Sequence, residues 1–160
     1  MLFRSLWHRW LRRGVPRVRR AARAALAAVR RSGGAPLQVD VTLTGDAELK
    51  RLNARWRGKN KPTNVLSFPA DTETRAAGGA RLLGDVIVAA GVAVAEARAE
   101  RKSLDDHLDH LVVHGVLHLM GYDHEAVAQA REMEGLERRI LAKLGVKDPY
   151  RARARAADAP

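Results

Sequence analysis

Apolar and polar positions along the chain fall into a few clear periods. Leu37-Gln38-Val39-Asp40-Val41-Thr42-Leu43 alternates with period two and predicts a half-buried strand. Asp46 stands where it would cap a helix running to about Trp56, with Leu49 and Leu52 on one face. Asn64 to Phe68 is a short apolar strand between Pro62 and Pro69, and Leu82 to Ala89 is aliphatic enough to be central in a sheet. The polar, glycine-containing stretch Ala70 to Ala80 joins them as a loop. Ala90 to about Lys102 predicts a helix, Ser103 caps another that continues through Met120, and Glu125 to Leu144 predicts a last amphipathic helix closed by Gly145. Ahead of the first strand, Val18 to Val29 follows Pro16 as a helix with Leu26 and Val29 inward, ended by Ser32-Gly33-Gly34. There is no internal repeat, and 160 residues suffice for one sizeable core. The pattern predicts a single α/β (α+β) domain over 16–150, a small mixed β-sheet packed by about five helices. Asp148 onward reads as the start of a tail, with 151–160 disordered.

Charge changes this picture only at the ends. The formal charge is +11, but residues 1–36 hold ten arginines and no acid, whereas 37–150 carry 16 basic and 17 acidic residues. The body is nearly neutral, so the basic balance speaks for the termini alone. Residues 1–15, with Leu2, Phe3, Leu6, Trp7, Trp10 and Leu11 between arginines, form a basic amphipathic extension suited to an anionic surface such as RNA or a membrane. Arginines interrupt every apolar run there, which argues against a secretory signal; an arginine-rich presequence fits the composition better. A basic extension on a cytoplasmic protein is the reading preferred here. No apolar run approaches the roughly 20 residues of a membrane span. With no cysteine, histidine and carboxylate are the available metal ligands.

The most specific chemical signal is His114-Gly115-Val116-Leu117-His118-Leu119-Met120-Gly121-Tyr122-Asp123-His124. His114 and His118 are four apart and share a helix face at a separation that suits one tetrahedral ion. Gly121 is free to take positive φ, ending the helix so that a loop returns His124 to the same place. Neutral imidazole suits zinc, and three protein nitrogens leave the fourth position open for water, the catalytic arrangement. His110 also stands four before His114, but it lies about 12 Å along the axis from His118 at the usual rise, too far for a common ion. His107 and His110 are therefore supporting or surface groups. Asp106, Asp109, Asp123 and Glu125 are candidates to orient the ligand imidazoles, although such carboxylates are more often simply solvated. The spacing is that of the metzincin metalloproteases, whose second residue is a glutamate general base; Gly115 stands there instead, so the metal helix is metzincin-like while the protease base is missing.

A second constellation runs from Lys50 to Lys61, with Lys50, Arg51, Arg55, Arg57, Lys59 and Lys61 and no acid among them. Its end, Arg57-Gly58-Lys59-Asn60-Lys61-Pro62-Thr63-Asn64, leaves a helix for a strand, a junction where cations can meet an anion. Arginine's planar fork of donors matches two phosphate oxygens, which makes Arg57 a candidate to stabilise the transition state of phosphodiester cleavage. Asp85, in the Leu83-Gly84-Asp85 turn, is a candidate carboxylate behind the metal ligands, a candidate proton acceptor, or a structural aspartate starting the strand.

These residues, Arg57 to Pro69, then Leu83-Gly84-Asp85-Val86-Ile87, then His114 to His124, resemble the YbeY family of bacterial rRNA-maturation endoribonucleases over roughly 37–150. The resemblance implies one zinc ion held by His114, His118 and His124, and a required arginine at Arg57. It further implies cleavage of single-stranded rRNA, trimming of the small-subunit rRNA 3′ end, and ribosome quality control alongside the small ribosomal subunit and its proteins. Two other readings stay open: an assembly factor with a structural zinc, and a zinc hydrolase of a non-RNA substrate.

Overall fold

The computed structural model describes residues 2–29, 34–76 and 78–151, with side chains from Gly14 onward. The apolar side chains of the first 13 residues, the Ser32-Gly33 stop and the 152–160 tail lie outside the described residues. Five helices surround a three-stranded sheet: α1 (Leu2–Val29), β1 (Leu37–Thr44), α2 (Asp46–Arg57), β2 (Val65–Pro69), β3 (Arg81–Ala89), α3 (Ala90–Ala99), α4 (Leu104–Leu119) and α5 (Val127–Lys143). This is the small mixed sheet with five helices that the periodicity predicts.

The aliphatic run is central: the strand order is β1-β3-β2, with β1 parallel and β2 antiparallel to β3. Pro69 sits on an edge strand, where a missing N–H costs no ladder bond. The register of β3 against β1 slips by one residue between Leu82 and Asp85, and Gly84 occupies this bulge at φ +136°. A Cβ there would stand 2.1 Å from the Phe68 carbonyl oxygen, so only glycine fits.

Side chains of β3 alternate between two cores. Val86 and Val88 face α4, meeting Val112, Val113 and Val116, while Ala89 turns to the other face with Leu49 of α2 and Leu66 of β2. The helix with the histidines thus lies directly on the sheet, flanked by α1 and α5. Gly115 lets it approach: a Cβ at that position would be 2.6 Å from Val86 Cγ1. Ser67 Oγ, one strand over, donates to the Gly115 carbonyl at 2.9 Å and fixes the height of α4 on the sheet.

Three elements depart from the sequence reading. The helix predicted after Pro16 is continuous with the amphipathic start, one helix of 28 residues with Pro16 inside it. A proline in a helix interior typically costs about 3 kcal/mol or more. Burial of Val18, Ala21, Ala22 and Ala25 against the core offsets that, as does Arg17, whose Nη2 lies 2.8 Å from the buried Asp109 of α4 and 2.9 Å from Asp106. Asp46 caps a different helix from the one predicted: its Oδ1 accepts from Gly91 N and Val92 N at the start of α3, and Gly45 is the N-cap of α2. Finally, Asp148 to Tyr150 folds back on the domain, with Asp148 Oδ1 3.4 Å from Arg138 Nε and Tyr150 reaching Glu137.

Candidate metal centre

Helix α4 starts as predicted, with Ser103 Oγ accepting from Asp106 N at 3.0 Å. It ends in a Schellman turn: Gly121 at φ +90° donates to the His118 carbonyl, and Tyr122 N to Leu117 O at 3.1 Å. The chain reverses there, and His124 comes back over the face that carries His114 and His118. One nitrogen from each of the three imidazoles falls within 4.8 Å of the others, and the Nε2 atoms of His114 and His118 are 3.1 Å apart. His114 and His118 are half-buried and His124 is exposed, so the cluster opens to solvent on one side.

The surroundings of His118 favour its neutral form. His118 is brought down from 6.5 to about 4, mainly by burial, then by His114 and His124; Arg57 acts in the same direction and Asp123 opposes. At neutral pH it therefore offers a lone pair. His114 Nδ1 lies 2.7 Å from Glu137 Oε1, and a carboxylate can only accept, so Nδ1 carries a proton and Nε2 is the nitrogen turned toward the cluster. Three convergent imidazoles, one of them oriented by a buried carboxylate, are a donor set that fits a zinc ion.

Glu137 is the functional residue that sequence reasoning missed. It is 1% exposed on the inner face of α5, and besides His114 it accepts a hydrogen bond from the Tyr150 hydroxyl and stands 3.7 Å from His110 Nε2. A signal was present: Met133, Glu137, Ile140 and Leu141 form one helical stripe, in which a lone carboxylate calls for a partner. The carboxylates proposed to orient imidazoles do other things. Asp106 and Asp109 hold Arg17, and Asp123 Oδ1 accepts from its neighbour's backbone at His124 N. Glu125 is exposed. His107 pairs with Glu96 at 2.8 Å, and Glu96 also accepts from Asn64 Nδ2 at 3.0 Å, anchoring the end of the cationic loop to α3. Asp85 is exposed, one residue from Val86 and so on the sheet face turned away from α4.

Arg57 is the last residue of α2, exposed and close enough to the cluster to influence His118. Gly58 at φ +66° turns the chain behind it, and buried Asn53 donates through Nδ2 to the Lys61 carbonyl at 2.9 Å, tying the loop 58–61 to its own helix. A groove of about 460 Å³ lined by Asn64, His114, His124, Glu134 and Tyr150 runs beside the imidazoles.

The family model described as Endoribonuclease YbeY matches residues 12–145. The chain belongs to the YbeY family. Curated relatives that carry the name Endoribonuclease YbeY include a Rhizobium etli protein, 55% identical over 115 residues that make up 72% of this chain and 67% of the relative. Another, from Azorhizobium caulinodans, is 54% identical over 130 residues, 81% of each chain. The solution structure of TM1509 from Thermotoga maritima superposes with a TM-score of 0.54 at 25% identity, covering 85% of this chain and 92% of that one. In this YbeY-family chain, Gly115 also accounts for the missing protease base: with Val86 Cγ1 2.6 Å from a Cβ, no glutamate fits between helix and sheet.

Proposed function

We propose that this chain is a zinc-dependent endoribonuclease that cleaves single-stranded rRNA in the cytoplasm. Its work there is 3′-end maturation of small-subunit rRNA and quality control of ribosomes, in contact with the small subunit and its proteins. His114, His118 and His124 hold one zinc ion, and Arg57 is catalytic. Residues 16–150 form the nuclease domain and 1–15 a basic extension against an anionic surface. The observation that carries the reading is the convergence of three imidazoles with an arginine beside them, in a family named for RNA cleavage. Among the described residues no helix is long and apolar enough to cross a membrane.

A zinc ion, when held by the three imidazoles, would supply Lewis-acid polarisation of a phosphoryl oxygen. The chain's own residues do the rest. Glu137 keeps the proton of His114 on Nδ1 and turns Nε2 inward. Arg57 pairs its planar fork with the non-bridging oxygens and stays charged throughout, stabilising the negative charge that grows as the phosphodiester is attacked. Asn64, held by Glu96, sets the wall of the groove along which the strand lies.

Elemental analysis of purified wild type, His118→Ala and Arg57→Ala, with the same samples incubated with single-stranded rRNA fragments, tests this. About one zinc per chain is expected in wild type and Arg57→Ala and none in His118→Ala. Full cutting is expected in wild type, cutting slower by about 10²–10³ in Arg57→Ala, and none in His118→Ala. Zinc present without any cutting by wild type would overturn the nuclease reading in favour of an assembly factor. Wild-type turnover by Arg57→Ala would overturn the role of Arg57.

A further inference from the structure

Trp56 is 62% exposed, one of three large apolar side chains left in solvent among the described residues. It lies outside the buried face of helix α2, which Leu49 and Asn53 supply. The ring is nonetheless held: it packs edge-to-face with Phe68 of β2, with centroids 6.3 Å apart at 68°, and the Arg55 guanidinium lies 5.3 Å from its centroid. Single exposed aromatics are common and usually mean nothing. This one is braced by a second aromatic, precedes Arg57 directly, and sits in a stretch with no acid between Glu48 and Asp71.

Resting on the RNA reading above, we propose that Trp56 is a stacking platform for one unpaired base of the substrate strand, within a nucleotide of the phosphate that Arg57 holds. A rigid aromatic surface flanked by cations is how proteins bind single strands: the cations track the backbone and the ring takes a base. Arg55 covers one side of the indole and a base adds to the stack. The platform also gives the centre a discrimination it otherwise lacks. Imidazole-held metal and Arg57 act on phosphate, which single and double strands both present. A base inside a duplex is already stacked and paired, and reaches Trp56 only after leaving its helix. Strand selectivity therefore resides at Trp56.

The test uses the full zinc-loaded chain and a short single-stranded RNA cut at one position, labelled for anisotropy, together with a set in which each nucleotide near that position is abasic in turn. One abasic position is expected to weaken binding to wild type by about tenfold or more, the scale of base–aromatic stacking. Trp56→Ala is expected to bind the intact RNA with that same loss and to be indifferent to the abasic site, while Trp56→Phe retains most of the affinity. The ratio of single- to double-strand cleavage should fall in Trp56→Ala. Because the side chain is mostly exposed, the variant should unfold at the wild-type temperature, and zinc content checks that the centre is intact. If wild type cuts the RNA but all abasic strands bind alike, or if Trp56→Ala keeps full sensitivity to the abasic site, the stacking proposal is wrong and the nuclease reading stands. If wild type neither binds nor cuts RNA, both fall.

Discussion

Glu137→Gln keeps the shape of a buried side chain and removes its charge. The wild-type carboxylate is 1% exposed and has three neighbours: His114 Nδ1 at 2.7 Å, His110 Nε2 at 3.7 Å and the Tyr150 hydroxyl. Burial alone would raise its pKa, but the nearby His110 imidazole and the hydrogen bonds from His114 and Tyr150 outweigh it and bring the group from 4.5 down to about 2. A shift of that size favours the carboxylate by roughly 3 kcal/mol. The folded pKa is below the unfolded one, so this stability is fully present above about pH 4.5 and is lost as the pH falls toward 2. The metal-free variant should be less stable than wild type by about 1–3 kcal/mol at pH 7, a gap that narrows through the same acid window. Its zinc affinity should fall about 10- to 100-fold, because the amide holds the His114 tautomer less firmly than the carboxylate. Urea unfolding of metal-free protein across pH reads the first effect, and competition with a chromophoric chelator reads the second. Wild-type zinc affinity in the variant would refute the claim that Glu137 orients His114; a stability gap that widens in acid would refute the linkage.

Two other substitutions probe how the site is positioned. Gly115→Ala puts a Cβ 2.6 Å from Val86 Cγ1 and 3.2 Å from Ser67 Oγ. Overpacking of about 1–3 kcal/mol should outweigh the gain of roughly 1 kcal/mol in helix propensity, and urea unfolding should show a net loss; a more stable variant would mean that the close approach of α4 to the sheet is not what selects glycine. Asp46→Ala strips the acceptor from Gly91 N and Val92 N and should cost about 1–2 kcal/mol in thermal unfolding, whereas an unchanged melting temperature would show that solvent caps α3 equally well.

Local chemistry was readable wherever the residues that act together are close in sequence. His114, His118, Gly121 and His124 span one helix end and one turn, so spacing alone brought them to one place. Ser103 was legible as a cap for the same reason. Glu137 was not, because it stands 23 residues beyond His114 on another helix and no spacing rule links them. Asp46 has the chemistry of a cap, but the amides it serves lie 45 and 46 residues away, and only the packing of α2 beside α3 selects them. Pro16 illustrates a strong local rule overruled by burial of an alanine face. The strands and their order followed from aliphatic content, whereas the bulge at Gly84 left no mark in the alternation of β3.

The long reach of α1 has a kinetic side. Arg17 bonds to Asp106, 89 residues further on, and Arg20 to the carbonyl of Leu144, 124 residues further on. A helix made early in synthesis therefore waits for its partners until α4 and then the end of α5 have emerged, with Ala21, Ala22 and Ala25 uncovered in the meantime. Contacts so distant in sequence make folding slow and loop closure costly. The histidine helix has α1 along its flank, so its packing is completed only when the chain as far as the end of α5 is available.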